Sequence, residues 1–228
     1  MAKDKKNTQV DNLTEVESAL TRTEQFLESN SKLIGIVIGA IVVVAVGYLG
    51  LNKFYLEPRS KEAQDQMFMA QNYFEKDSFN LALNGDGNNP GFLDIIDDFG
   101  STDAGNLSNY YAGVSYLNMG QYDNAITYLK KFSTKDLLLG PISIGAQGDA
   151  QLELGKTDKA LDLYTEAYKM NDNELTTPVY MLKAGELLES SSKQDEALKI
   201  YETIKQKFPE SAEGRSIDKY IARAKAKM

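Results

Sequence analysis

The chain has 228 residues, 33 acidic and 25 basic side chains, a formal charge of −8, and no His, Cys or Trp. Without His there is no imidazole base and no His-ligated zinc; without Cys there is no thiol nucleophile, disulfide or thiolate metal site. A Ser–Lys or two-carboxylate mechanism stays formally open, whereas net acidity argues against nucleic-acid binding, which needs clustered Lys and Arg.

Residues 1–32 form a mixed tail. Positions 1–12 are polar, and Leu13, Val16, Leu20 and Leu27 set a heptad-like seam that predicts a short amphipathic helix over 13–30. Residues 33–51 then read LIGIVIGAIVVVAVGYLGL, nineteen residues without a charge. About 20 apolar residues span a hydrocarbon core, so the stretch predicts a single transmembrane helix. Lys32 and Lys53 flank it, and Tyr48, Phe54 and Tyr55 stand at interfacial positions. A secretory signal is disfavoured, because a 32-residue tail comes first and no Ala-x-Ala site follows. Lys3, Lys5, Lys6, Arg22 and Lys32 precede the span against Lys53, Arg59 and Lys61 just after it. The positive-inside bias leans towards a cytoplasmic N-terminus. Gly35, Gly39, Val43 and Gly47 recur at spacing four, a pattern that would allow close contact with another membrane helix.

Residues 52–58 read as a linker ending at Pro58, and the domain at 59–228 begins with an expected helix over 59–84. The cluster Asn84-Gly-Asp-Gly-Asn-Asn-Pro90-Gly91 breaks it. A calcium loop wants Gly at its sixth position and Glu at its twelfth; counted from Asn84 these are Asn89 and Ile95, so a turn is expected and no metal. Between Lys76 and Lys130 there is no basic residue, only Asp77, Asp86, Asp94, Asp97, Asp98, Asp103 and Asp123. Asp94 shares a helix face with Asp97 or Asp98, the usual look of a solvated face.

The rest of the chain repeats. Aligned on Ala125, Ala160 and Ala197, it has Gly113, Gly148 and Gly185 twelve residues earlier. Gly120, Gly155 and Ser192 stand five before, and Leu129, Tyr164 and Tyr201 four after. Spacings of 35 and 37 resemble the tetratricopeptide repeat, a pair of antiparallel helices of about 34 residues. Small residues would let the two helices approach, a large one would fill the layer behind, and Gly120 and Gly155 would end the first helix. Helices are expected at 107–119, 122–132, 141–154, 157–169, 178–190 and 194–207, with 210–226 as a cap. Counting a degenerate first pair at 59–99, the fold class is all-α: one transmembrane helix, then a solenoid of about four helix pairs plus a capping helix.

In such a stack the first helix of each pair lines the concave face. Its expected partner-binding residues here are Tyr110, Val114, Leu117, Asn118, Asp149, Leu152, Glu153, Glu186 and Glu189. The mixture is apolar and acidic, with only Lys183 nearby as a base, which suits an apolar and basic segment better than a peptide's terminal carboxylate.

The stretch GDGNNPGFLDIIDDFGSTDAGNLSNYYAGVSYLNMGQYDNAITYLKKF (85–132), behind an N-terminal anchor, resembles the YfgM family of bacterial inner-membrane proteins. The resemblance implies a single-pass type II protein with its repeat domain in the periplasm and residues 1–32 in the cytoplasm. It further implies a non-catalytic ancillary role at the SecYEG translocon, beside a PpiD-type periplasmic chaperone, receiving or handing on secretory polypeptides. It brings no catalytic motif and no cofactor. The alternative is an anchored scaffold for another envelope complex, such as outer-membrane or cell-wall assembly, with the same fold.

Overall fold

The computed structural model describes residues 29–228, and every regular element among them is helical. The expected seam of Leu13, Val16, Leu20 and Leu27 lies outside the described residues. The chain divides into two compact units at Pro58 and Arg59.

In the first unit, α1 (Ser31–Leu51) is an unbroken helix with no buried residue. At about 1.5 Å per residue it is about 30 Å long, enough to cross a membrane. Its apolar side chains are bare all round: Ile36, Val37, Ile41, Val43, Val44 and Leu49 are all exposed. Gly35, Gly39 and Gly47 face open space, so nothing among the described residues fills the groove they leave. The segment expected as a linker is helical, with a π-helical turn over Asn52–Leu56 directly before α2 (Glu57–Glu75), so Pro58 removes a backbone donor from within a helical run.

The second unit stacks helix pairs. After α2 come α3 (Phe79–Asn84), α4 (Phe92–Phe99), α5 (Asp103–Asn118), α6 (Tyr122–Lys131), α7 (Leu139–Glu153), α8 (Thr157–Met170), α9 (Thr177–Ser190), α10 (Gln194–Lys207), α11 (Ala212–Ser216) and α12 (Asp218–Ala226). Each helix packs on its sequence neighbour from α4 to α10, and α5 also meets α7 directly. Helix α5 begins four residues before its expected start because Thr102 caps it, its hydroxyl accepting from the Gly105 N–H at 3.1 Å.

The repeat positions do what their spacing predicts. Ala125, Ala160 and Ala197 are fully buried. A Cβ on Gly113 would fall 2.5 Å from Leu129 Cγ, on Gly148 2.7 Å from Tyr164 Cε1, and on Gly185 2.3 Å from Tyr201 Cε1. The second helix of each pair therefore presses a large side chain into a slot where the first has none.

The turns between paired helices share one geometry. Gly120 (φ 73°), Gly155 (φ 71°) and Ser192 (φ 62°) are left-handed. The N–H groups of Gln121, Lys156 and Lys193 donate back to the carbonyls of Tyr116, Gln151 and Leu188, the Schellman arrangement. Asp77 (φ 54°) makes a fourth, with the Ser78 N–H donating to the Tyr73 carbonyl. This corrects the single helix expected over 59–84: it breaks at Asp77, and the sequence hides the break because no Gly marks it. The first pair is held differently, by aromatic packing. Phe92 stacks on Tyr111 at 5.0 Å, and Phe74 meets Tyr111 edge-on at 5.0 Å.

The glycine-rich loop is organised by Asp86. Its carboxylate accepts the N–H groups of Asn88 (2.8 Å) and Asn89 (2.7 Å) and the Tyr73 hydroxyl (2.7 Å). The Tyr73 hydroxyl, foremost among these donors, holds its pKa far below the usual carboxylate range.

Two substitutions test the packing. Gly185→Ala drives a Cβ into the buried Tyr201 ring and is expected to cost about 1–3 kcal/mol, read as a lower midpoint of denaturant unfolding. Ser192→Gly relieves a left-handed side-chain residue and is expected to stabilise by about 0.5–1 kcal/mol in the same measurement.

Candidate functional site

Three first helices, α5, α7 and α9, bring the expected groove residues to the surface. Tyr110 on α5 is half-buried, its ring 5.4 Å from Phe132. Asp149 on α7 lies at the centre. Its carboxylate accepts Lys183 Nζ from α9 at 2.6 and 2.8 Å and the Tyr164 hydroxyl from α8 at 2.7 Å. The Tyr180 ring stacks on Tyr164 at 6.4 Å, and Lys183 Nζ lies 5.6 and 5.8 Å from the two ring centres. Tyr180 reaches this position because Gly145 lies beneath it, where a Cβ would fall 1.9 Å from Tyr180 Cε1.

Tyr164 and Tyr180 both titrate well above an ordinary phenol. Burial is the main cause for each, with the negative Asp149 next for Tyr180; for Tyr164, donation to Asp149 follows burial. The patch is thus an internally neutralised Asp149–Lys183 pair lying over two buried tyrosine rings. Lys183 is taken up by that pair and offers no free cation for a terminal carboxylate.

The other expected residues divide. Glu153 and Glu186 are exposed, and Glu153 accepts only a 3.3 Å contact from the Tyr122 hydroxyl. Leu152 is exposed near them, and Val114 is half-buried. Leu117 packs partly against Ala125, Ile126 and Ala150, so it serves the joint between repeats as well as the surface. Asn118 is exposed but donates to the Val114 carbonyl of its own helix at 2.9 Å. Glu189 does not belong to the groove: it is 5% exposed. Its carboxylate accepts Arg223 Nη2 and Lys227 Nζ, both at 2.8 Å, and the Tyr201 hydroxyl at 3.2 Å. It fastens α12 to the last repeat. Tyr164 and Tyr180 lie buried beneath this surface, and the half-buried Tyr122 borders it; spacing alone did not single out Tyr122 or Tyr180. The available signal for Tyr180 was a second glycine, Gly145, three residues before the repeat glycine Gly148.

Residues 108–136 and 180–211 each match the tetratricopeptide repeat model. These are the first and third of the three spaced repeats. A solved structure from Podosopora anserina, of kinesin light chain nearly identical TPR-like repeats, superposes with a TM-score of 0.58 at 14% identity, covering 76% of this chain and 89% of that one. At that identity the likeness speaks for fold alone. Among curated proteins no sequence matches. Tetratricopeptide stacks are surfaces for binding other proteins, and no enzyme family is indicated for this one.

The Glu189 latch gives a pH test. Hydrogen bonds from Arg223, foremost, and Lys227 lower its pKa from 4.5 to about 2. Folding therefore favours the carboxylate: its contribution is whole above pH 4.5 and is lost as pH falls towards 2. Glu189→Gln is expected to cost about 1–3 kcal/mol at neutral pH, discounted because both cations are half in water. The variant should also lack this part of the acid sensitivity, measured by denaturant unfolding across that pH range, with faster amide exchange in α12.

Proposed function

We propose that this protein is a membrane-anchored, non-catalytic interaction scaffold whose α1 helix spans a bacterial inner membrane and whose repeat domain works in the periplasm. The observation that carries the reading is the pairing of a bare apolar helix with a tetratricopeptide-like stack. On this reading residues 1–32 are cytoplasmic, 33–51 lie in the membrane, 52–58 connect, and 59–228 are periplasmic. The YfgM-like stretch at 85–132 supports the finer reading, an ancillary subunit of the SecYEG translocon that works beside a PpiD-type chaperone and receives secretory polypeptides.

The groove chemistry suits that work. Exposed Leu152 and half-buried Tyr110, Val114 and Leu117 offer apolar contact, while exposed Glu153 and Glu186 attract the basic residues of a passing segment. The Asp149–Lys183 pair adds no net charge, so recognition is broad. The face of Gly35, Gly39, Val43 and Gly47 is where a translocon helix would pack closely. A scaffold for outer-membrane or cell-wall assembly is the second reading, supported by the same fold and separated only by partner identity.

In-cell photocrosslinking separates them. With a crosslinkable residue at Gly39, Leu117 or Glu153, adducts are expected from Gly39 to translocon subunits and from Leu117 or Glu153 to secretory chains or a periplasmic chaperone. Adducts confined to outer-membrane or cell-wall assembly proteins would sink the translocon reading. Glu153→Lys with Glu186→Lys should cut the groove adducts several-fold and leave those from Gly39 unchanged.

A further inference from the structure

Helix α7 carries a polar stripe on a buried face. Gly140, Ser143, Gln147 and Gln151 recur at spacings of three and four, so they share one side of the helix. That side turns towards the end of α6, where the Ser143 hydroxyl lies 3.5 Å from the Leu129 carbonyl. Ser143 is 4% exposed, and Gln147 and Gln151 are each 8% exposed.

Buried carboxamides are ordinarily hydrogen-bonded at both ends. These two are not. Among the described residues the Gln147 carboxamide has no hydrogen-bond partner, and Gln151 Oε1 is sealed from solvent without a donor. A buried amide group left unpaired costs stability, so Gln147 weakens the fold unless something outside the fold bonds it.

Gln147 borders a cavity of about 320 Å³ between the end of α6, the start of α7 and the end of α8. Leu129, Phe132, Ile144 and Met170 make its walls apolar, and Ser143 lines it one turn before Gln147. Gly140 lets Met170 close over the helix, for a Cβ there would fall 3.0 Å from Met170 Cε. Lys130, its one charged lining residue, is exposed, as are Ser133 and Met170, so the cavity opens to the surface. None of its lining residues belongs to the groove described above.

We propose that this cavity binds an extended polypeptide through one apolar side chain and that residue's backbone amide, with Gln147 pairing to the amide. A carboxamide donates through Nε2 and accepts through Oε1, and a peptide unit offers the complementary pair. A carboxylate or phosphate would set a second acceptor against Oε1, and a cation would find no acid in the lining. The apolar walls take the side chain, and the open rim lets the chain continue on either side. Main-chain bonds then supply affinity and the cavity supplies selection, as in other peptide sites. The site goes beyond the groove and requires nothing of α1.

Full-length protein in lipid nanodiscs, with p-benzoylphenylalanine in place of exposed Lys130, would be irradiated with a biotinylated octapeptide of Gly and Ser around one central Leu. Adducts are expected several-fold above those from the same crosslinker in place of Lys156, in the turn before α8. N-methylation of the central Leu removes only its N–H and should cut capture several-fold, as should replacing that Leu by Ser. Gln147→Leu should lose capture to the same degree, while its midpoint of denaturant unfolding stays level or rises. Equal capture of the N-methylated peptide by the intact protein would overturn the amide pairing. A lower midpoint for Gln147→Leu would make the carboxamide a structural group and overturn its assignment. Capture of biotinylated leucinamide with none of the octapeptide would give the cavity to a small amide and overturn the polypeptide. Glu153→Lys with Glu186→Lys should leave capture unchanged; its loss would place the peptide in the groove and overturn this site while leaving the groove reading intact.

Discussion

The repeat domain depends on one steric relation: a glycine on the first helix of a pair facing a large side chain on the second. Gly113 faces Leu129, Gly148 faces Tyr164, and Gly185 faces Tyr201. Because the glycine has no Cβ, the helices approach closely enough for Ala125, Ala160 and Ala197 to be sealed. Dispersion contacts are individually small, so close approach is what makes them add up. The same relation sets the groove. Tyr164 passes across the Gly148 slot, and its hydroxyl emerges to meet Asp149. Packing and surface chemistry here share one side chain.

The two ends of the stack are closed by different means. At the first pair no glycine faces a ring; Phe74, Phe92 and Tyr111 fill the space with aromatic contacts. At the last, Tyr201 reaches through the Gly185 slot to Glu189, which Arg223 and Lys227 fasten to α12. A buried carboxylate is costly unless fully paired, and here three donors satisfy it. That places a pH-sensitive element at the last repeat.

Spacing made the middle of the domain legible. A period of 35 and 37 residues with small residues at fixed offsets has few physical explanations, and the helices lie close to where it put them. The first pair was less legible because its turn uses Asp77 in a left-handed conformation, which only glycine advertises in a sequence. The groove was legible in outline but not in assignment. Helical periodicity places Glu189 on the same helix as Lys183, yet the partner that decides its role, Arg223, is 34 residues away on the cap. Tyr164 read as core from its repeat position and is core; what spacing could not show is the bond from its hydroxyl to Asp149, which ties the core to the surface.

Charge placement separates the domain's surfaces. Within the groove Asp149 and Lys183 cancel, leaving Glu153 and Glu186 at its margin as negative groups. At the α6–α7 and α8–α9 loops Leu137 and Leu175 are exposed beside both signs of charge, Lys135 and Asp136 among them. A segment with basic residues would be drawn to the first surface, and the second carries no sign that would compete for it.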